Sequence, residues 1–213
     1  MKILAIESSG LSLSVAVGEN SKVILEYFFN AGLIHSETLI PTIEKMLNEL
    51  NWKIKDIDKF AVSSGPGSFT GIRVGMTVVK TLAQSLNKPV VCFDCLSILE
   101  ENIKIPKIKI VPAIDALRNE VFIKQNKTVV IMPVEKFIEK NKKYKNKIII
   151  VGNAVTAHKK ILSKHLGSLA VSLPDKFHFP TASTLVLMAE HIKGTSFKDV
   201  EPLYVRKSWA EEK

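Results

Sequence analysis

The stretch Gly65-Pro66-Gly67-Ser68-Phe69-Thr70-Gly71-Ile72-Arg73-Val74-Gly75 holds the residue types and spacing most able to do chemistry in this chain. A strand that ends in glycines and opens a helix gathers free N–H groups and the positive end of a dipole at one point, which suits an anion. The turn is not a GxxxxGK[ST] phosphate loop, because no lysine follows its last glycine, and GxGxxxG is not the dinucleotide fingerprint. The same glycines serve equally as a tight strand-to-helix connection in which they only permit positive φ and close packing. Phe69 is more natural at a protein contact than in a phosphate cradle.

The other reactive side chains form no complete set. Cys92 and Cys95 make a CxxC, but no second pair or nearby histidine completes a zinc site, which leaves core packing or redox chemistry. His35, His158, His165, His178 and His191 are scattered at spacings that fit no metal motif. His35, at a helix start, is placed equally well for a hydrogen bond, a cap, burial or a partner surface. Asp115 and Glu120 flank Arg118-Asn119 on a turn, where carboxylates are more often structural than acid and base.

The elements that must position these residues are legible in the periodicity. Residues 2–7 are a short apolar strand, and 11–17 alternate as a half-buried one, with Ser12, Ser14 and Ala16 on the open face. A third strand covers 23–29. Over 36–50 the apolar residues Leu39, Ile40, Ile43, Met46, Leu47 and Leu50 take helical spacing, with Pro41 in the first turn. Some of Ile40, Ile43 and Leu47 are expected to remain exposed until a partner covers them. Residues 59–63 are a buried strand, 72–86 a helix, 89–93 a strand and 96–101 a short helix. Strands follow over 108–114, 120–124 and 128–132, then a helix over 134–140. Next come a strand over 148–151, a helix reaching His165 and, capped by Thr181, a helix over 181–192. Three strands and a helix followed by strand–turn–helix–strand is an α/β pattern with mixed sheets. The lysine-flanked, proline-bearing segment 103–109 is the expected boundary. The expected domains are a first lobe over 1–105, a basic second lobe over 106–180, and a C-terminal helix and tail over 181–213 that returns to the first lobe.

Composition bounds the rest. With 213 residues, 46% hydrophobic and 24% charged, the chain is globular rather than disordered. No apolar run nears a membrane span, Glu7 interrupts the run Met1–Ile6 before it could serve as a signal-peptide core, and two cysteines build no disulfide framework, so a reducing cytoplasm is expected. Net charge is −2 over 1–103, +8 over 104–147 and +3 over 148–213. This asymmetry fits either a lobe that faces a polyanion such as nucleic acid or an ordinary solvated lysine surface. Of 30 basic residues only Arg73, Arg118 and Arg206 are arginine, which marks these three for roles needing a planar donor fork.

In order and spacing, "ILAIESS", "HSETLIP", "SSGPGSFTGIRVG", "DALRNEVF" and "EPLYVRKS" resemble the TsaB family, formerly called YeaZ, from Lys2 to about Ser208. The resemblance implies a two-lobed actin-like ATPase fold of ribonuclease-H-like topology. It also implies a non-catalytic subunit that pairs with the catalytic paralogue TsaD and with the ATPase TsaE. Together these modify the adenosine beside the tRNA anticodon with a threonylcarbamoyl group. The resemblance places the TsaD surface, used for self-pairing when the protein is alone, on the two first-lobe helices. The carried-over residues are His35, Glu37, Leu39 and Ile43, then Gly65, Pro66, Gly67, Ser68, Phe69, Thr70, Gly71 and Arg73.

Departures from the wider fold group point the same way. Actin-like ATPases start the first hairpin with an aspartate that binds metal and phosphates, where this chain has Glu7. The two histidines of a TsaD metal site align with Cys95 and Leu99. No catalytic residue, cofactor or metal is therefore expected. The competing readings are an actin-like ATPase or phosphotransferase, opposed by Glu7, and a glycoprotease-like metallo-hydrolase, opposed by the missing histidines. The lysines 140, 142, 143 and 145 are the candidates for a tRNA contact.

Overall fold

The computed structural model describes residues 1–30, Gly32 and 35–206. The chain divides into two units, 1–95 with 181–204, and 96–180 with Val205 and Arg206. The part of the expected C-terminal domain over 207–213 lies outside the described residues.

In the first unit β1 (Lys2–Glu7), β2 (Leu13–Glu19) and β3 (Lys22–Phe29) form an antiparallel meander, while β4 (Lys59–Ser63) and β5 (Val90–Phe93) add in parallel, giving the order β3-β2-β1-β4-β5. α1 (His35–Glu49) and α2 (Phe69–Leu86) cover one face through Leu39, Ile43, Met46, Met76, Val79 and Ala83, packed on Leu4, Ile6, Val15, Val17, Phe60 and Val62. The other face is made of small residues: Ala16, Ala5 and Ala61 stand in one row across three strands. α7 (Ala182–Ala189) packs there so closely that a Cβ on Gly18 would lie 2.2 Å from Val186 Cγ1.

Strand β2 is therefore buried on both faces, not half-buried as its alternation predicts. Side chains that read as a solvent face are instead small enough to admit a helix. Both ends of α7 are held by the sheet. At its start Ala182 N donates to Ser14 Oγ (2.8 Å), Ser183 N to Glu26 Oε1 (3.0 Å) and Thr184 N to the Thr181 cap (3.4 Å). Beyond its end the buried Lys59 ammonium donates to the carbonyls of Ala189 (2.9 Å) and Ile192 (2.8 Å). An acid at the N-terminus and a cation at the C-terminus both complement the helix dipole.

The second unit repeats the plan. β6 (Lys109–Asp115), β7 (Glu120–Gln125) and β8 (Thr128–Pro133) are an antiparallel meander. β9 (Ile148–Val151) and β10 (Ala170–Val171) then join β6 in parallel, in the order β10-β9-β6-β7-β8. α4 (Val134–Lys142), α5 (Ala154–Ala157) and α6 (Lys159–Leu166) contribute Val134, Phe137, Ile138, Ala154, Leu162 and Leu166 to its core.

Several boundaries move. The unit boundary falls at 95/96, not 105, because α3 (Cys95–Glu101) is tied into the second unit. Lys124 Nζ donates to Ser97 Oγ, Asn102 Nδ2 donates to the Phe179 carbonyl, and Leu99 packs near Gly152. α2 begins at Phe69, three residues earlier than predicted, because Ser68 caps it by accepting from Gly71 N at 3.2 Å. α1 begins at His35, so Pro41 sits in the second turn and removes the N–H that the Glu37 carbonyl would have received. The helix expected to run to His165 breaks at His158, whose imidazole meets Asp115 Oδ1 at 3.0 Å. No helix among the described residues is long and apolar enough to cross a membrane.

Candidate functional site

The glycine turn meets the β1–β2 connection, and that meeting decides what the turn can do. A Cβ on Gly67 would lie 2.0 Å from the Ser9 carbonyl oxygen, and one on Gly71 would lie 2.1 Å from that of Ser8. Ser68 N donates to the Ser9 carbonyl (2.6 Å), and Ser8 Oγ donates to the Gly71 carbonyl (2.8 Å). Gly65, at φ +95°, packs on Ile72. The space that an anion would use is filled by the chain's own backbone. Of the two readings of the turn, the tight connection is the one built.

Glu7 stands behind this connection, fully buried. Its Oε1 accepts from the amide (2.7 Å) and hydroxyl of Ser9, while Oε2 has no hydrogen-bond donor among the described residues. Burial pushes its pKa above the ordinary carboxylate value, against the opposing effect of the Ser9 and Ser63 groups. Cys95 Sγ donates to the Pro66 carbonyl at 2.7 Å. Burial holds the Cys95 thiol well above its usual pKa and pushes Cys92 up to about 11, so neither is a poised thiolate.

These residues do not fit the magnesium nucleotide that an actin-like fold implies. Glu7, which stands where the metal-binding aspartate would be, is sealed in, already bound by Ser9, and held toward its neutral form. Cys95 and Leu99 are both buried, and a leucine cannot ligate a metal. Among the described residues no three His, Cys, Asp or Glu side chains are grouped to hold a metal ion.

The carried-over residues separate into two groups. His35 is buried, with Nε2 2.9 Å from the Gly10 carbonyl. Leu39 and Ile43 are buried in the core, and Gly65, Pro66 and Gly71 are buried in the turn. The expectation that Leu39 and Ile43 face a partner is corrected: both point at the sheet. On α1 the large apolar side chain left in water is Ile40, 50% exposed, while Leu47 is buried like Ile43. Glu37, Gly67, Thr70 and Arg73 are exposed, with Ser68 and Phe69 half-buried.

Phe69 has an intramolecular partner that no local pattern in the chain marks. Its ring stacks on Tyr204 with centroids 4.2 Å apart and planes 8° from parallel. The Arg73 guanidinium lies 4.6 Å from the Phe69 centroid, and Arg73 Nε donates to Tyr204 Oη at 2.9 Å. Lys80 Nζ holds the Val200 carbonyl (2.9 Å), and Leu203 N donates to the Ser64 carbonyl (2.8 Å), so the segment leading to Tyr204 lies along α2.

On α2, one of the two helices to which the resemblance assigns the partner surface, the outward side carries residues that the sequence reading did not single out. Thr70, Arg73, Thr77, Thr81 and Gln84 are exposed, and Val74, Val78 and Leu82 are half-buried at spacings of four. In a chain with 30 basic residues, this 18-residue helix carries only Arg73 and Lys80 as charges, both tied to the chain's own tail. Threonines and valines are poor choices for a solvated helix face. Depletion of charge around small apolar groups is the composition of an interface core.

Two five-stranded sheets with the same meander-then-parallel plan, flanked by helices, define an α/β protein of the actin-like, ribonuclease-H-like class. YeaZ from Pseudomonas aeruginosa superposes with a TM-score of 0.74 at 22% identity, covering 96% of this chain and 100% of that one. The family model of TsaD, tRNA N6-adenosine threonylcarbamoyltransferase, matches residues 30–213. The tRNA threonylcarbamoyladenosine biosynthesis protein TsaB of Bacillus subtilis is 29% identical over 223 residues, covering 100% of this chain and 97% of that protein. The TsaB of Buchnera aphidicola is 34% identical over 164 residues, covering 71% of this chain and 78% of that protein. The chain belongs to the TsaB family, within the wider group that the TsaD model describes.

Proposed function

We propose that this chain is a non-catalytic subunit of tRNA N6-threonylcarbamoyladenosine synthesis. It docks a TsaD-type catalytic subunit on α1 and α2 and works in the cytoplasm with a TsaE-type ATPase. The observation that carries this reading is the outward face of α2, Thr70, Arg73, Thr77, Thr81 and Gln84, which is empty of free charge in a lysine-rich chain and is flanked by Val74, Val78 and Leu82, half-buried against the core. It adjoins a glycine turn closed by Ser8 and Ser9, which leaves the chain a rigid edge and no anion cradle. The names of the relatives support the pathway, and the sealed Glu7 supports leaving the chemistry to the partner. In the absence of that partner, the same face pairs two copies of this chain.

The test is reconstitution. The chain is co-purified with a TsaD-type protein, and threonylcarbamoylation of tRNA is measured with and without it, alongside ATP turnover and metal content of the chain alone. Stable pairing, modification that depends on the chain, and no turnover or stoichiometric metal in isolation are the expected results. Turnover by the isolated chain, or full modification without it, overturns the reading.

A further inference from the structure

The second unit carries a feature that the docking face does not use. Between residues 135 and 165 the sequence places nine lysines against Glu135 and Glu139. All nine are exposed: Lys136, Lys140 and Lys142 on α4, Lys143, Lys145 and Lys147 after it, and Lys159, Lys160 and Lys164 on α6. The fold collects them instead of scattering them. α4 and α6 bury Val134, Phe137, Ile138, Leu162 and Leu166 against the sheet and so turn their lysine faces outward as neighbours. Lys142 Nζ lies 3.4 Å from His165 Nδ1, and Lys147 Nζ reaches the Ser168 carbonyl, so the two helices and the intervening loop form one surface.

Structural duties account for few of these charges. Lys140, Lys142 and Lys164 sit in last helical turns, where a cation complements the dipole. Among the described residues no carboxylate pairs with any of the nine, and Glu135 is engaged by Asn119 Nδ2 at 3.1 Å. Nine like charges held together against two carboxylates raise the free energy of the fold unless an anion neutralises them. Tyr144, 39% exposed, and His165 add flat rings within the lysines.

We infer that the α4–α6 lysine face binds the phosphate backbone of structured RNA. The charge complements a polyanion, and the rings suit stacking on an unpaired base. A membrane surface fits less well, because an interfacial helix needs an apolar flank beside its lysines, and here that flank is buried in the core. The identification of the RNA as tRNA rests on the proposed function; the phosphate chemistry does not.

The experiment uses the full chain and a fluorescently labelled tRNA transcript, with anisotropy followed from 50 to 200 mM KCl. The quadruple variant K140E/K143E/K145E/K164E is compared with wild type and with K22E/K53E/K55E, which reverses exposed lysines of the first unit. Thermal melts verify that all three are folded. Loss of four phosphate contacts lowers the slope of log K against log salt by about 3 and weakens binding at least about ten-fold at 50 mM, while the first-unit variant stays within about two-fold. Equal affinity and slope for the quadruple variant overturn the inference. So does a wild-type chain that ignores tRNA at 50 mM KCl, or that binds phosphatidylglycerol vesicles in its place. Pairing with the TsaD-type protein is measured on the same variants. Retained pairing with lost RNA binding supports the inference, and lost pairing in the wild type refutes the proposed function without touching the RNA result.

Discussion

Two substitutions on neighbouring helices separate a core role from a docking role, because they move stability and pairing independently. Leu39 has no exposed surface and packs beneath α1. Truncation to alanine deletes buried methyl groups and leaves a cavity, which costs about 2–5 kcal/mol. For a chain of this length that lowers Tm by roughly 5–15 °C. Thr77 is exposed on α2. Thr77→Lys is solvated in the isolated chain and slightly improves helix propensity, so the shift stays within about 0.5 kcal/mol. In the docked pair the ammonium would be stripped of water without a partner, at a cost of several kcal/mol. At about 1.4 kcal/mol per decade, pairing falls by at least about a hundred-fold. Calorimetric titration of each variant with the TsaD-type protein, beside a thermal melt of each alone, reads both quantities. Thr77→Lys that pairs within about three-fold of wild type refutes the assignment of the α2 face. Leu39→Ala with an unchanged melt refutes the burial that removed Leu39 from the contact set.

Glu7→Gln keeps an oxygen acceptor for Ser9 and removes the ionisation. Because burial raises the folded-state pKa of Glu7 above 4.5, its favourable contribution is complete below that value and is lost as pH rises through the folded pKa. The Tm of the variant should therefore gain on wild type between pH 4.5 and 8, and parallel curves would contradict this. Lys59→Met leaves the carbonyls of Ala189 and Ile192 without their donor in a buried place, at about 1–3 kcal/mol each, and a melt unchanged within 1 °C would show that α7 does not depend on that clamp. Both thiols are held protonated, so maleimide at pH 7.5 should label the native chain many times more slowly than the urea-unfolded chain; equal rates would restore a reactive CxxC.

The elements that announce themselves through local periodicity were readable. The buried runs of β1, β4 and β9 and the apolar stripe of α1 need only their own residues to identify them. What failed depends on neighbours far away in sequence. Ser14, Ala16 and Gly18 look polar or neutral in β2, and only the arrival of α7, more than 160 residues later, makes them an interior. That the run 59–63 is buried is legible locally, but what pairs the Lys59 ammonium is not, since its acceptors lie at the end of the same helix. Phe69 reads as an aromatic suited to a protein contact, and local pattern carries no sign of Tyr204, which stacks on it across 135 positions of sequence. The repetition of one sheet plan in both units left no trace as a sequence repeat, because an alternating or buried strand accepts many side chains of similar shape.

The glycine turn shows why residue type alone left its role open. Glycines at 65, 67 and 71 are required on either reading, since both an anion and a peptide backbone need the space that a Cβ would take. The deciding partner is the β1–β2 connection, whose Ser8 and Ser9 carbonyls lie within 2.1 Å of where Cβ atoms on Gly71 and Gly67 would stand. A carbonyl in that place accepts the Ser68 amide and presents negative potential where a phosphate would have to lie. The packing that abolishes an anion site also fixes the start of α2, by tying the Ser68 amide to the Ser9 carbonyl while the Ser68 hydroxyl caps Gly71 N. A helix anchored so firmly at one end can hold Thr70, Arg73, Val74, Thr77 and Val78 in a constant array without help from a bound nucleotide. Preorganisation of that kind lowers the ordering cost of association. Closure of the turn and presentation of the proposed docking face would thus be two consequences of one contact. Gly67→Ala, which must push the Ser9 carbonyl aside, should weaken partner binding as well as stability, while the exposed Gln84→Ala at the far end of α2 should leave the melt unchanged.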